Sequence, residues 1–127
     1  MTKEQLIEEC LKAGESYLCY PFDATTAVIK VQKNGKMFAF TDYANAGKIK
    51  KSCGAETPVE DGDLFINLKC NIELSEILRK KYAAVVPGYY CSKAHMSWNT
   101  VIVGKDVPFD ELKKMIALSY QLVASKK

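Results

Sequence analysis

An α+β fold, two layers with helices packed on a largely antiparallel sheet, is what this sequence predicts. Three features predict it. Apolar residues recur at helical spacing near residues 3–13, 72–82 and 108–124. Between those segments lie runs that alternate apolar and polar, the period of a strand with one face on a core. Two strand-to-strand connections read as hairpins, so neighbouring strands run antiparallel. The expected order is α-β-β-β-α-β-β-α in a single domain over residues 1–127, a length that buries a core without staples.

The first helix spans about Lys3 to Ala13. Thr2 and Gln5 make a capping box, Gly14 fits a C-cap, and Leu6, Ile7, Cys10 and Leu11 form the apolar stripe. The next stretch, SYLCYPFDAT, reads as a loop whose Tyr17, Leu18, Tyr20 and Phe22 pack at the edge of the core. Residues Thr25–Asp42 form a hairpin around Asn34-Gly35, a type I′ turn signal. Counting back from that turn pairs Val31 with Phe38 and Ile29 with Phe40, four residues expected on one buried face. Lys33 and Lys36 then flank the turn. Residues Tyr43–Asp63, punctuated by Gly47, Gly54, Pro58 and Gly62, read as a mobile surface insertion carrying the basic cluster Lys48, Lys50 and Lys51.

DLFINLKC (Asp63–Cys70) is the third strand, with Leu64, Ile66 and Leu68 on one face. Asn71 caps the second helix, Ile72–Tyr82, whose buried stripe is Leu74, Ile77, Leu78 and Tyr82. Arg79, Lys80 and Lys81 in its last turn suit the helix dipole. A second hairpin follows, about Val86–Cys91 and Ser97–Val103, and it holds the only Trp and the only His of the chain. Pro108 opens the last helix, in which Leu112, Met115, Ile116, Ser119, Leu122 and Val123 face inward.

Composition narrows the function classes. No apolar run approaches the roughly 20 residues that span a bilayer, and the N-terminus lacks an apolar signal core, so the expectation is a cytoplasmic protein with no membrane partner. Five scattered cysteines without a C-x-x-C pair, and one His, give no zinc-ligand spacing; reduced, mostly packed thiols are expected, with no disulfide, metal or cofactor. Net charge is +3, and of 18 basic residues only Arg79 is Arg. Lysine binds phosphate as a point charge, whereas arginine forks onto guanine edges, so any DNA contact should read backbone more than sequence. A thiolate pair of Cys91 or Cys70 with His95 lacks an orienting third group, and GKIKKSCG lacks phosphate-loop spacing, so no catalytic residue is assigned and no enzyme is expected.

At PFDATTAVIKVQKNGKMFAF, NLKC, PGYYCSKAHMSWNTV and SYQLV the chain resembles the MmcQ/YjbR family. The densest match runs from Pro87-Gly88-Tyr89 through Lys93 and His95 to Trp98-Asn99-Thr100-Val101, with Ser119-Tyr120 second. The chain departs from the family pattern in three places. Two extra residues lie between Tyr90 and Trp98, Asn71-Ile72 stands for Asp-Pro, and the Tyr43–Asp63 segment is longer. The resemblance implies a fold like that of type III secretion chaperones, and DNA binding through two projecting β wings.

Three readings of function follow. The first is a DNA-binding module that contacts the phosphate backbone through Lys33, Lys36, Lys93 and His95, joined by Lys48, Lys50 and Lys51. The second is a protein-interaction module, recognisable by an exposed apolar patch or a homodimer; either way the chain is expected to be a monomer or weak homo-oligomer. The third is a small-ligand protein with a pocket near Trp98 and Tyr120. Tyr89 and Trp98 are the candidate ligand-contacting or base-stacking aromatics.

Overall fold

The structure is a computed structural model and describes residues 1–88 and 97–125. Tyr89, Cys91, Lys93 and His95 of the second hairpin lie outside the described residues. Among the described residues the order is α1 (Lys3–Leu11), β1 (Ser16–Cys19), β2 (Ala27–Val31), β3 (Met37–Tyr43), α2 (Ala46–Cys53), β4 (Leu64–Lys69), α3 (Ile72–Lys81), β5 (Val85–Pro87), β6 (Trp98–Ile102) and α4 (Phe109–Ala124). The six strands form one antiparallel sheet in the order β1-β2-β3-β4-β6-β5, and the helices pack on it. The α+β class and the antiparallel sheet are therefore as the sequence predicts, with two further elements, β1 and α2.

Local signals explain where the helices begin. Thr2 and Gln5 close the capping box on α1, and Asn71 Oδ1 accepts the Leu74 N–H at the start of α3. Gly14 does not cap α1; Lys12 holds that position. In α3 the buried positions are Ser75 and Leu78, and Ile77 is exposed, because the helix rests on β5 and β6 along a narrower stripe than expected.

The first hairpin does not have the expected register. Ile29 faces Ala39 and Lys30 faces Met37, so β3 carries one extra residue, Phe38, where β2 has none. Such a bulge turns the extra side chain and its neighbour toward the same face. Phe38 thereby points toward α4, where its ring meets Tyr120 edge-on at 5.1 Å. The turn is a five-residue connection, Gln32–Lys36, not a two-residue type I′ turn. Val31 N–H donates to Lys36 C=O, Gly35 N–H donates to Val31 C=O, both at 2.8 Å, and Gly35 supplies the positive φ of 68°. Val31, Ile29, Phe38 and Phe40 are all buried, as expected, although Phe40 pairs with Val28 and lies on the other face.

Phe40 is buried because that second face is covered too. The segment read as a mobile insertion contains α2, capped by Asn45 through the Lys48 N–H. Its Ile49 is fully buried, Val59 follows it into the core, and Cys53 reaches the hydroxyl of Thr100. Strand β4, between the two covers, is buried along nearly its whole length. Its Asn67 is satisfied there by the Thr100 hydroxyl, which donates at 2.5 Å.

The chain read as a core-packed loop after α1 is instead the edge strand β1. Its Tyr17 and Leu18, and Tyr20 and Phe22 beyond it, are exposed, because among the described residues no element lies outside β1 to cover them. The four described cysteines are free, Cys10 and Cys70 buried and Cys19 and Cys53 half-buried. Burial, with the Glu9 carboxylate nearby, pushes the Cys10 thiol up to about 12.

Candidate nucleic-acid interface

Strand direction decides which side chains can share a surface. β2 runs into the Gln32–Lys36 turn and β3 out of it. Antiparallel pairing then brings β4 to the same end of the sheet at Lys69, β5 at Pro87 and β6 at Trp98. The turn of the first hairpin, the end of β5 and the start of β6 therefore lie at one end, with the end of β4 between them. Lys33 and Lys36 sit there, exposed, with Lys30 half-buried beside them on β2.

The first tip is fastened down, and it does not project as a free wing. Asn34 Oδ1 accepts the Lys36 N–H at 3.0 Å, while its Nδ2 donates to the C=O of Val123 in α4, also at 3.0 Å. Gln32 N–H donates to Glu15 C=O on the other side. The lysines thus extend from a backbone braced against both α4 and the α1–β1 link.

The rest of this rim is built around Trp98. Its indole is buried, which fits packing within the hairpin rather than a role as a stacking platform. The Lys69 ammonium lies over the ring, 5.6 Å from its centre, and also donates to the Ser97 hydroxyl. Behind the ring, Arg79 Nη2 donates to Trp98 C=O at 3.1 Å and Nε to Asn99 Oδ1 at 2.8 Å. Burial lowers the Arg79 pKa from its usual value, offset in part by nearby Cys70 and Glu76. Arg79, expected only to complement its helix dipole, is thus the clamp between α3 and β6. Lys69 was missed as a rim residue because NLKC reads as strand core, and its place at the rim depends on pairing with Trp98.

Lys48, Lys50 and Lys51 are exposed on α2 but begin at the opposite end of β3, after Tyr43. They are not brought together with Lys33 and Lys36. That opposite end holds a cleft of about 210 Å³ lined by Asp23, Thr25, Thr26, Asp42, Tyr43, Asn45 and Lys48 over Phe40 and Phe65. Its polar groups bind one another. Asp23 accepts the Thr26 and Thr25 N–H groups, which hold its carboxyl below the usual range. Asp42 accepts from Lys3 Nζ at 3.0 Å and from the Thr25 hydroxyl at 2.9 Å. Burial pushes Asp42 up, but the bonds from Lys3, the Tyr43 N–H and Thr25 outweigh it and leave the carboxyl below its ordinary value. Near Trp98, where the small-ligand reading needs a pocket, the void among Leu68, Cys70, Leu78, Asn99, Val101 and Met115 is about 10 Å³, room for about one water molecule.

Among the described residues no three His, Cys, Asp or Glu side chains come together as a metal site, and no helix is long and apolar enough to cross a membrane.

Known proteins of this shape set the chain in a family. It is 28% identical over 106 residues to the uncharacterized protein YbdF of Escherichia coli O157:H7, covering 84% of this chain and 70% of that protein. The crystal structure of the Deinococcus radiodurans protein DR2400, of domain family DUF419, superposes with a TM-score of 0.74 at 29% identity, over 98% of this chain and 80% of that one. A Pseudomonas syringae protein shares the fold, with a TM-score of 0.77 at 24% identity over 97% and 99% of the two chains. The YjbR family model matches residues 11–122, and the chain belongs to the YjbR family.

Proposed function

We propose that this domain binds the sugar–phosphate backbone of DNA through the lysines at the hairpin end of its sheet. One observation carries the reading: strand polarity gathers Lys30, Lys33, Lys36 and Lys69 at a single end, and the turn that bears two of them is braced on both sides. A braced cation loses less freedom on meeting a phosphate than one on a swinging loop. Lysines at such a rim supply charge without the fork that reads base edges, so binding is weakly sequence-specific and strongly salt-dependent.

The test is fluorescence anisotropy with a duplex across a salt series, on wild type and on the double variant Lys33→Glu, Lys36→Glu. Each phosphate contact contributes about 0.9 to the slope of log K against log salt. The double variant is expected to fold normally, bind more weakly and lose roughly two units of slope. Wild-type protein that fails to bind duplex at low salt would falsify the reading. An unchanged slope in the double variant would remove the β2–β3 turn from the interface.

A further inference from the structure

The two edges of the sheet are built differently. β5, on one edge, ends in Pro87, which has no N–H to offer a further strand. β1, on the other, has no such guard. Between Ser16 and Phe22 there is no charged residue, and Pro21 lies beyond the strand. Alternation along β1 fixes which backbone groups are outward. Glu15 C=O bonds β2 through the Gln32 N–H, so Tyr17 and Cys19 also turn toward β2, and Ser16 and Leu18 turn their N–H and C=O groups away from the sheet.

We propose that this edge pairs with a second copy of the chain, β1 against β1 about a two-fold axis through Tyr17. The outward groups allow one short antiparallel register. Ser16 exchanges two hydrogen bonds with Leu18 of the partner subunit and Leu18 two with Ser16 of the partner subunit. Tyr17 then stands directly opposite Tyr17 of the partner subunit, where cross-strand side chains approach most closely. Tyr17 is 36% and Leu18 38% exposed, and Tyr20 and Phe22 extend the apolar strip at 46% and 60%. Such a contact is closed, since each copy offers the same edge to the other.

Two arguments favour a second copy over a foreign strand. A chain of net charge +3 repels its own kind over most of its surface, but this strip carries no charge to repel. The area also fits a reversible self-contact. At about 200 Å² for a whole aromatic side chain, the exposed parts of the strip come to roughly 350 Å² per copy. The pair buries about 700 Å², below the ~1,200 Å² of a stable specific interface, so the dimer forms and dissociates with concentration.

Sedimentation equilibrium on the full chain, without DNA, tests this. The weight-average mass of wild type is expected to rise from 14.2 kDa toward twice that value as protein goes from about 10 μM to about 1 mM. Tyr17→Glu and Tyr17→Lys each set like charges opposite one another at the axis and should weaken association about tenfold. An equimolar mixture of the two should associate as well as wild type or better, an outcome peculiar to an axis at Tyr17. Circular dichroism of each variant checks that it is folded, and Leu18→Lys, a guard of the kind natural edges carry, is the second route should either misfold. Wild type that stays monomeric at about 1 mM overturns the proposal. So does a dimer that the Tyr17 and Leu18 variants leave equally strong.

Discussion

The phenol ring of Tyr120 fills the space in which a side chain on Gly14 would begin. A Cβ built on Gly14 would lie 2.2 Å from Cζ of that ring, and the phenol hydroxyl donates to the C=O of Glu15 one residue on at 3.0 Å. The same ring meets Phe38 edge-on. One side chain of α4 thus locks the α1–β1 link against the bulge of β3, and the glycine is there for close approach, since its φ is not in the left-handed region.

Gly14→Ala should therefore destabilise the fold by about 1–3 kcal/mol, the usual cost of overpacking, despite the stiffer chain that alanine gives. Tyr120→Phe should cost about 1 kcal/mol through the lost hydrogen bond. Tyr120→Leu in the Gly14→Ala background should recover part of the loss. Urea unfolding of wild type, Gly14→Ala, Tyr120→Leu and the double variant measures this as a cycle, and additive effects would show that the two residues do not share the space.

Ser119 stands next to Tyr120 and performs a separate task. Its hydroxyl donates to Phe38 C=O at 2.5 Å and accepts the Lys69 N–H at 2.8 Å. At the bulge, where β3 and β4 would otherwise bond directly, the helix inserts a hydroxyl between them. Ser119→Ala removes a buried partner of two backbone groups and should lower stability by about 2 kcal/mol, read from the midpoint of thermal unfolding. An unchanged midpoint would mean that the ladder closes without it.

These two residues show where sequence reading reaches and where it stops. Helix caps at Thr2 and Asn71 and the inward stripe of α4 were legible because each depends on local spacing, whereas Phe40 is buried on the face that the unforeseen α2 segment covers. The bulge was not, because Asn34-Gly35 signals a two-residue turn, while the docking of Asn34 onto Val123 selects a longer one. Likewise α2 hides in a glycine-punctuated stretch with one buried residue, Ile49, too little for a helical period to register. Tyr17 and Phe22 look like core in composition, and only the strand order reveals them as edge. At the candidate interface Lys33 and Lys36 were legible as turn flanks. The separation of Lys48, Lys50 and Lys51 from them was not, because it depends on the direction of β3.

That separation gives a prediction for DNA binding. Changing Lys48, Lys50 and Lys51 together to Gln removes three positive charges, one more than the number of lysines changed in Lys33→Glu, Lys36→Glu. Under the rim reading it should nevertheless reduce the salt slope by less than about one unit, because no phosphate contact is lost. A loss of about three units would move the interface to α2 and away from the hairpin end.

Asp42 is one of two carboxyls whose lowered pKa should make the fold sensitive to acid. Its carboxyl is mostly buried, paired with Lys3, and bonded by Thr25 and the Tyr43 N–H. The folded-state pKa is depressed relative to the ordinary carboxyl, near 3.9 in an unfolded chain. A depressed carboxyl contributes stability that is fully present above the unfolded value and is lost as pH falls through the folded one. The pairing should therefore be intact at pH 6 and fade below about pH 4, with a contribution of about 1 kcal/mol because the pair is only partly shielded. Asp23 shifts in the same direction through its bonds to Thr26 and Thr25, so wild type alone cannot separate the two. Asp42→Asn does. It should be less stable than wild type at pH 6, and the gap should narrow steadily between about pH 4 and pH 2 as the wild-type carboxyl takes up its proton. Urea midpoints at four or five pH values measure it. A gap that stays constant across that window would assign the acid sensitivity to Asp23 or another carboxylate and leave Asp42 with a role independent of its charge.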